Sequence, residues 1–130
     1  MLIGMPAFWE LCRRSSVPVL AHPAFAGALR IAPEALFGKL FRLYGADAAI
    51  FVSFGSRFSQ GEETCRGIAE ALRRPWGGML PALPVPAGGI EVASAAKVVE
   101  FYGADAMLLV GGDLQVEAGA VLERSRAFVR

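Results

Sequence analysis

The sequence predicts an α/β fold in which strands and helices alternate around a parallel sheet, about four βα units in one domain spanning residues 1–130. Three observations predict it. Four short runs are almost wholly apolar, longer helical patterns lie between them, and one helix-to-strand joint is written twice.

The runs are Val17–Ala21, Ala48–Val52, Leu83–Ala87 and Ala106–Val110. None alternates polar with apolar, as expected of parallel strands covered on both faces. Between them the pattern predicts helices over Pro33–Tyr44, Glu62–Arg73 and Ser94–Tyr102, and another over Glu117–Val129. Leu36, Leu40 and Leu43 recur near helical spacing behind Pro33, a residue suited to a first turn. Ile68, Ala71 and Leu72 form the stripe of the second helix. The repeated joint is Leu43-Tyr44-Gly45-Ala46-Asp47-Ala48 and Phe101-Tyr102-Gly103-Ala104-Asp105-Ala106. In each copy a helix ends in an aromatic residue, glycine terminates it in the left-handed region, and Ala-Asp-Ala opens a strand. Repeated βα units of this kind suit a barrel or a doubly wound sheet. The Gly/Pro-rich span Pro75–Pro86 reads as an ordered loop leading into a strand, not a linker.

Thirteen Lys+Arg against twelve Asp+Glu leave a net charge of +1, no footprint for nucleic acid or an anionic membrane. The chain is 55% hydrophobic and only 19% charged, against a usual charged fraction of about 25%. Long uncharged stretches such as Gly77 to Ile90 are interrupted by prolines, there Pro81, Pro84 and Pro86, and no run reaches the ~18–20 apolar residues of a membrane span. Excess hydrophobicity without a span implies surface that expects a partner. Met1–Trp9 is apolar but lacks a basic leader and is soon closed by Glu10, Arg13 and Arg14, so a secretory signal is not expected. Cys12 and Cys65 lie in helical patterns without metal-ligand spacing and read as free thiols of a cytoplasmic protein.

Two glycine pairs, Gly88-Gly89 and Gly111-Gly112, directly follow the last two strands. Such pairs allow positive φ and bring bare N–H groups to a ligand, so together they predict a phosphate cup, to which a helix start near Ser94 would add its positive end. His22 follows the first strand, where an imidazole could act as acid, base or phosphate donor. The loop Ser53–Ser59 is small, hydroxyl-rich and carries Arg57, suited to a bidentate contact with phosphate or carboxylate. Glu91 and Asp113 stand just after the glycine pairs, as a base or as ordinary helix-start residues.

Five segments go further: His22-Pro23-Ala24-Phe25-Ala26-Gly27-Ala28, Leu36-Phe37-Gly38-Lys39-Leu40-Phe41-Arg42, Gly55-Ser56-Arg57-Phe58-Ser59, Arg74-Pro75-Trp76-Gly77-Gly78 and Leu83-Pro84-Val85-Pro86-Ala87-Gly88-Gly89. Over nearly the whole chain and in order, they resemble the RuBisCO-like proteins, form IV of the ribulose bisphosphate carboxylase large-chain family. The resemblance implies the C-terminal half of a (β/α)8 TIM barrel, strands five to eight, from a fold that typically takes about 250 residues. It implies that Ala87, Gly88, Gly89, Gly111 and Gly112 line the substrate phosphate site. His22 would be an active-site histidine, and Arg57 would lie on the flexible sixth loop.

The departures matter as much. Where the carboxylases carry Arg and a second His, this sequence has Pro23 and Ala26; where their sixth loop presents a Lys, the counterpart is Arg57. CO2 fixation is therefore not expected. The resemblance leaves enolisation or isomerisation of a phosphorylated keto-sugar, as in methionine salvage. The family's metal site, a carbamylated Lys with Asp and Glu, has no Lys-x-Asp-Glu counterpart here, so Mg2+ is implied for a full-length member and no cofactor for this chain. The chain reads as a fragment, inactive alone, whose open strand edges predict a homo-oligomer. Two alternatives stay open: a non-catalytic, self-associating half-barrel or phosphate-binding module, and an unrelated doubly wound phosphate-binding domain.

Overall fold

The computed structural model describes residues 3–24, 26–28, 30–55, 60–115 and 119–129. Its elements run in this order: helix α1 (Met5–Arg14), strand β1 (Leu20–Ala21), a helical stretch α2 (33–43), strand β2 (Ala48–Val52), helix α3 (Glu62–Arg73), strand β3 (Leu83–Ala87), helix α4 (Ala95–Tyr102) and helix α5 (Val121–Val129). The three strands pair in parallel in the order β1-β2-β3. No helix among the described residues is long and apolar enough to cross a membrane.

Strands β2 and β3 and helix α3 occupy the spans expected from the sequence. Their apolar faces meet in one core, where Phe51 of β2, Ile68 and Leu72 of α3 and Tyr102 of α4 pack with Leu36 and Phe41 of α2. Cys65 is buried in this core as a free thiol, and Cys12 is a half-buried one.

The stretch α2 is not a uniform helix. Pro33–Ala35 and Phe41–Leu43 are α-helical, but Leu36–Leu40 between them is π-helical. Gly38 sits in the π segment, where an added Cβ would lie 2.5 Å from Ala71 Cβ, so the glycine sets how closely α2 and α3 approach. One turn later, Arg42 is buried. Its Nη1 donates to the carbonyls of Ala71 and Arg74 (both 2.8 Å), and its Nη2 to those of Met79 (3.3 Å) and Leu80 (3.0 Å). A single guanidinium thus ties the loop after α3 to α2, and the span Pro75–Pro86 is ordered, with Trp76 and Met79 paired in an antiparallel bridge.

Both copies of the repeated joint turn on a glycine with positive φ, 91° at Gly45 and 81° at Gly103. The aspartates diverge. Asp47 Oδ2 accepts the Val19 N–H at 2.7 Å, whereas Asp105 offers its backbone carbonyl to Arg73.

Two strand expectations need correction. The first run forms a ladder only at Leu20–Ala21, because Pro18 has no N–H and the Val19 N–H is taken by the Asp47 carboxylate. The fourth run, Ala106–Val110, joins the sheet through a single bridge, Ala87 with Leu109, and is not a full strand. The cause lies in β3. Successive residues of a parallel strand turn their backbone groups to opposite neighbours; Leu83 N–H and Ala87 C=O face β2, so Pro84 and Pro86 face the fourth run. Their carbonyls accept from Met107 and Leu109 at 3.0 and 3.1 Å, but neither proline can donate in return. Half of that ladder is missing by covalent structure.

The helix boundaries also shift. A 3-10 turn over Val92–Ser94 precedes α4, so the helix begins at Ala95. The last helix is described from Val121; Glu117 lies outside the described residues.

Candidate phosphate cleft

All of the sequence-predicted groups that the structure describes follow strands at one end of the sheet. The two glycine pairs do come together. Gly88, Gly89, Gly111 and Gly112 line one open cleft of about 370 Å³ with Ile90, Glu91, Leu109 and Asp113. The pairs achieve this differently. Gly88 and Gly89 hold φ at 80° and 74°, a region that side chains with a Cβ resist. Gly111 and Gly112 do not have positive φ, and an added Cβ at either would meet open space. The expectation that both pairs are glycine for the same backbone reason is therefore wrong for the second pair.

The helix start is a second correction. Val92 N–H donates to Asp113 Oδ2 at 2.9 Å, and Glu91 N–H donates to Ser94 Oγ at 3.2 Å. These amides are already occupied from within the chain. Asp113 is in turn paired with Arg124, whose Nη1 donates to Asp113 Oδ1 (2.9 Å) and to its carbonyl (2.7 Å). Arg124, which the sequence did not single out, thus offsets one of the two carboxylates that line the cleft. Glu91 is the other.

Ala87 ends β3. Its carbonyl accepts the Ser53 N–H at 2.8 Å, and its Cα pairs with Leu109, so it frames the cleft without lining it. His22 is exposed and opens onto a different cavity of about 290 Å³, bounded by Met5, Phe8, Ala21 and Phe41. The structure does not bring His22 and the glycines onto one cavity. Arg57, with Ser56, Phe58 and Ser59, lies outside the described residues.

The stem of that loop is well fixed. Ser53 is buried, with Oγ 3.1 Å from the Tyr102 hydroxyl. Phe54 packs on Phe101 at 4.4 Å between ring centroids, and the Arg66 guanidinium lies 4.4 Å from the Phe101 ring on α4. Burial pushes the Tyr102 phenol well above its usual range and raises the Cys65 thiol beside it. The sequence marked Tyr102 only as the aromatic end of a repeat, a role it shares with half-buried Tyr44.

Among the described residues no group of three or more His, Cys, Asp and Glu side chains gathers that could hold a metal ion. Asp113 is engaged by Arg124 and Val92, so the cleft does not supply the all-oxygen shell that Mg2+ requires.

Comparison with known proteins places these features. No protein-family model matches the chain. It is 47% identical over 129 residues to ribulose bisphosphate carboxylase-like protein 1 of Rhodopseudomonas palustris, covering 98% of this chain and 35% of that protein. It is 45% identical over 130 residues to the 5-methylthioribulose-1-phosphate isomerase of Rhodospirillum rubrum, covering 99% and 35% respectively. The crystal structure of a RuBisCO-like protein from Alicyclobacillus acidocaldarius superposes with a TM-score of 0.88 at 33% identity, over 98% of this chain and 34% of that one. The chain spans about a third of the length of the relatives it matches.

Proposed function

Since this chain belongs to the RuBisCO-like protein family, as the C-terminal part of its (β/α)8 barrel, we propose that it supplies the phosphate-holding end of an isomerase or enolase acting on a phosphorylated keto-sugar of the methionine-salvage type. The observation that carries the reading is the convergence of Gly88-Gly89 and Gly111-Gly112 on one cleft. With a net charge of +1 there is little long-range attraction for an anion, so oriented backbone N–H groups must hold the phosphate. His22, exposed beyond β1, serves as acid or base toward the sugar, and Arg57 makes the second anionic contact. An enolate needs a positive charge near its oxygen. Arg124 is engaged with Asp113 and cannot provide it, so that charge comes from elsewhere in a longer protein. CO2 fixation is not part of this proposal, because Pro23, Ala26 and Arg57 replace the side chains the carboxylases use. The protein works in the cytoplasm as a homo-oligomer.

A second reading, a non-catalytic self-associating module, is favoured by the apolar side chains left exposed at the rim of the sheet.

Two measurements test the proposal. The purified 130-residue chain should not turn over 5-methylthioribulose 1-phosphate with Mg2+ present; turnover would overturn the division of labour proposed here. Calorimetric titration with a sugar phosphate should show binding that Gly89→Val weakens at least about tenfold, because that residue needs φ of 74°. Gly112→Val should cost less, through its bulk alone. Equal affinity in wild type and Gly89→Val would mean the glycines are only turns.

A further inference from the structure

The side chains of the phosphate cleft carry the wrong sign for a plain anion. Glu91 and Asp113 both line it, and its described lining residues include no Lys, Arg or His. Arg124 is engaged with Asp113, its Nη1 lying 2.9 Å from Oδ1. That leaves Glu91 as a carboxylate that no cation offsets among the described residues. Its place is nonetheless fixed. Ile90 before it is buried in the core. The Glu91 N–H donates to Ser94 Oγ at 3.2 Å. Its carbonyl accepts from the Ser94 hydroxyl at 3.1 Å and from the Ser94 N–H at 3.0 Å. A carboxylate thus leaves the wall of the cleft from a held backbone, two residues beyond Gly89.

We propose that Glu91 determines specificity in this cleft: its carboxylate accepts the hydroxyl hydrogen of a singly protonated phosphate monoester and so excludes the sulfate ester of the same sugar. An ionised carboxylate is an acceptor only, and against a bare phosphate oxygen it is repelled. A proton between the two oxygens turns that contact into a short, charge-assisted hydrogen bond. A phosphate monoester, with a second pKa of about 6, keeps such a proton within reach of neutral pH. A sulfate monoester has the same tetrahedral shape and one negative charge, but no proton to give. The glycine N–H groups cannot tell the two apart, because they are donors and both esters offer acceptors. The carboxylate can. Sulfate would set acceptor against acceptor beside Glu91, and selectivity by such a mismatch is stronger than selectivity by a missing contact. Asp113 suits this role less, since its oxygens already accept from Val92 N–H and Arg124. The inference rests on the reading of this cleft as a phosphate site.

The test is calorimetric titration of the 130-residue chain with fructose 1-phosphate and fructose 1-sulfate. At about pH 5.5, below the second phosphate pKa, the two esters carry nearly the same charge. Wild type should bind the phosphate at least about tenfold more tightly than the sulfate. Glu91→Gln keeps the shape and adds an N–H donor, so the two affinities should become nearly equal, chiefly because sulfate binding rises. Glu91 is exposed, so circular dichroism should stay unchanged. Phosphorus NMR gives a second readout. The bound phosphate should lose its proton at a higher pH in wild type than in Glu91→Gln, with Asp113 and Arg124 present in both. Equal binding of the two esters by wild type, or an unchanged preference in Glu91→Gln, would overturn the role of Glu91 and leave the phosphate reading standing. Binding of neither ester by wild type would overturn the phosphate reading, and this inference with it.

Discussion

Asp113 Oδ2 accepts the Val92 N–H at 2.9 Å, so the loop leaving the fourth apolar run caps the turn that follows β3. This contact joins the two glycine pairs into one cleft and also takes a donor that an incoming anion would otherwise use. Asp113→Ala should free that N–H and leave Arg124 without its carboxylate at the cleft. Phosphate affinity should then rise severalfold, while stability falls by about 1 kcal/mol for the lost cap. Arg124→Ala should act the other way on affinity, leaving Asp113 charged beside the anion. Phosphate titration of both variants checks this, and weaker binding by Asp113→Ala would contradict it.

The approach of α2 to α3 depends on Gly38 having no side chain. Gly38→Ala puts a Cβ 2.5 Å from that of Ala71 and 3.3 Å from the Ile68 carbonyl. The overpacking should cost about 1–3 kcal/mol. Ala71→Gly alone should cost about 1 kcal/mol, as glycine does in a helix interior. Combined, the two should restore most of the lost spacing. Urea midpoints of the four proteins then give a coupling on the order of 1–2 kcal/mol; simple additivity would show that the helices move apart freely.

Tyr102 predicts a pH dependence. Its phenol is raised by burial, so folding favours the protonated form. A folded-state pKa above the unfolded value of about 10 means that this contribution is complete below pH 10 and is lost as the pH climbs beyond it. Tyr102→Phe should cost about 1 kcal/mol at neutral pH through the lost Ser53 hydrogen bond. It should also flatten the decline in denaturation midpoint at alkaline pH. An unchanged alkaline slope would assign that decline to other groups.

The strands and helices at the centre of the fold were legible because burial on both faces leaves a plain record: Ala48–Val52, Glu62–Arg73 and Leu83–Ala87 read as an unbroken apolar run, an amphipathic stripe and a second run. Length at the sheet edges was not, since it depends on where hydrogen bonds go. Pro18, Pro84 and Pro86 were visible, but which neighbour each would deprive of a donor follows only from register. At the cleft, the glycines announced themselves by their pairing. Arg124 and the capping role of Asp113 did not, because a contact across 11 residues between a loop and a helix leaves no periodic trace. The π-helical turn at Leu36–Leu40 was also hidden, as its leucines keep a spacing that an ordinary helix would share.

The Arg42 clamp bears on the order in which the molecule assembles. Its four carbonyl acceptors lie 29 to 38 residues further along the chain, in the last turn of α3 and the loop after it. That loop cannot be gathered until β2 and α3 are in place, since closing so long a span costs entropy that only later contacts repay. The clamp is thus a late event on the folding path. Its loss should leave the refolding rate nearly unchanged and appear almost wholly as faster unfolding. A side chain that binds nothing but the backbone of its own protein thereby governs how long the native state lasts once formed.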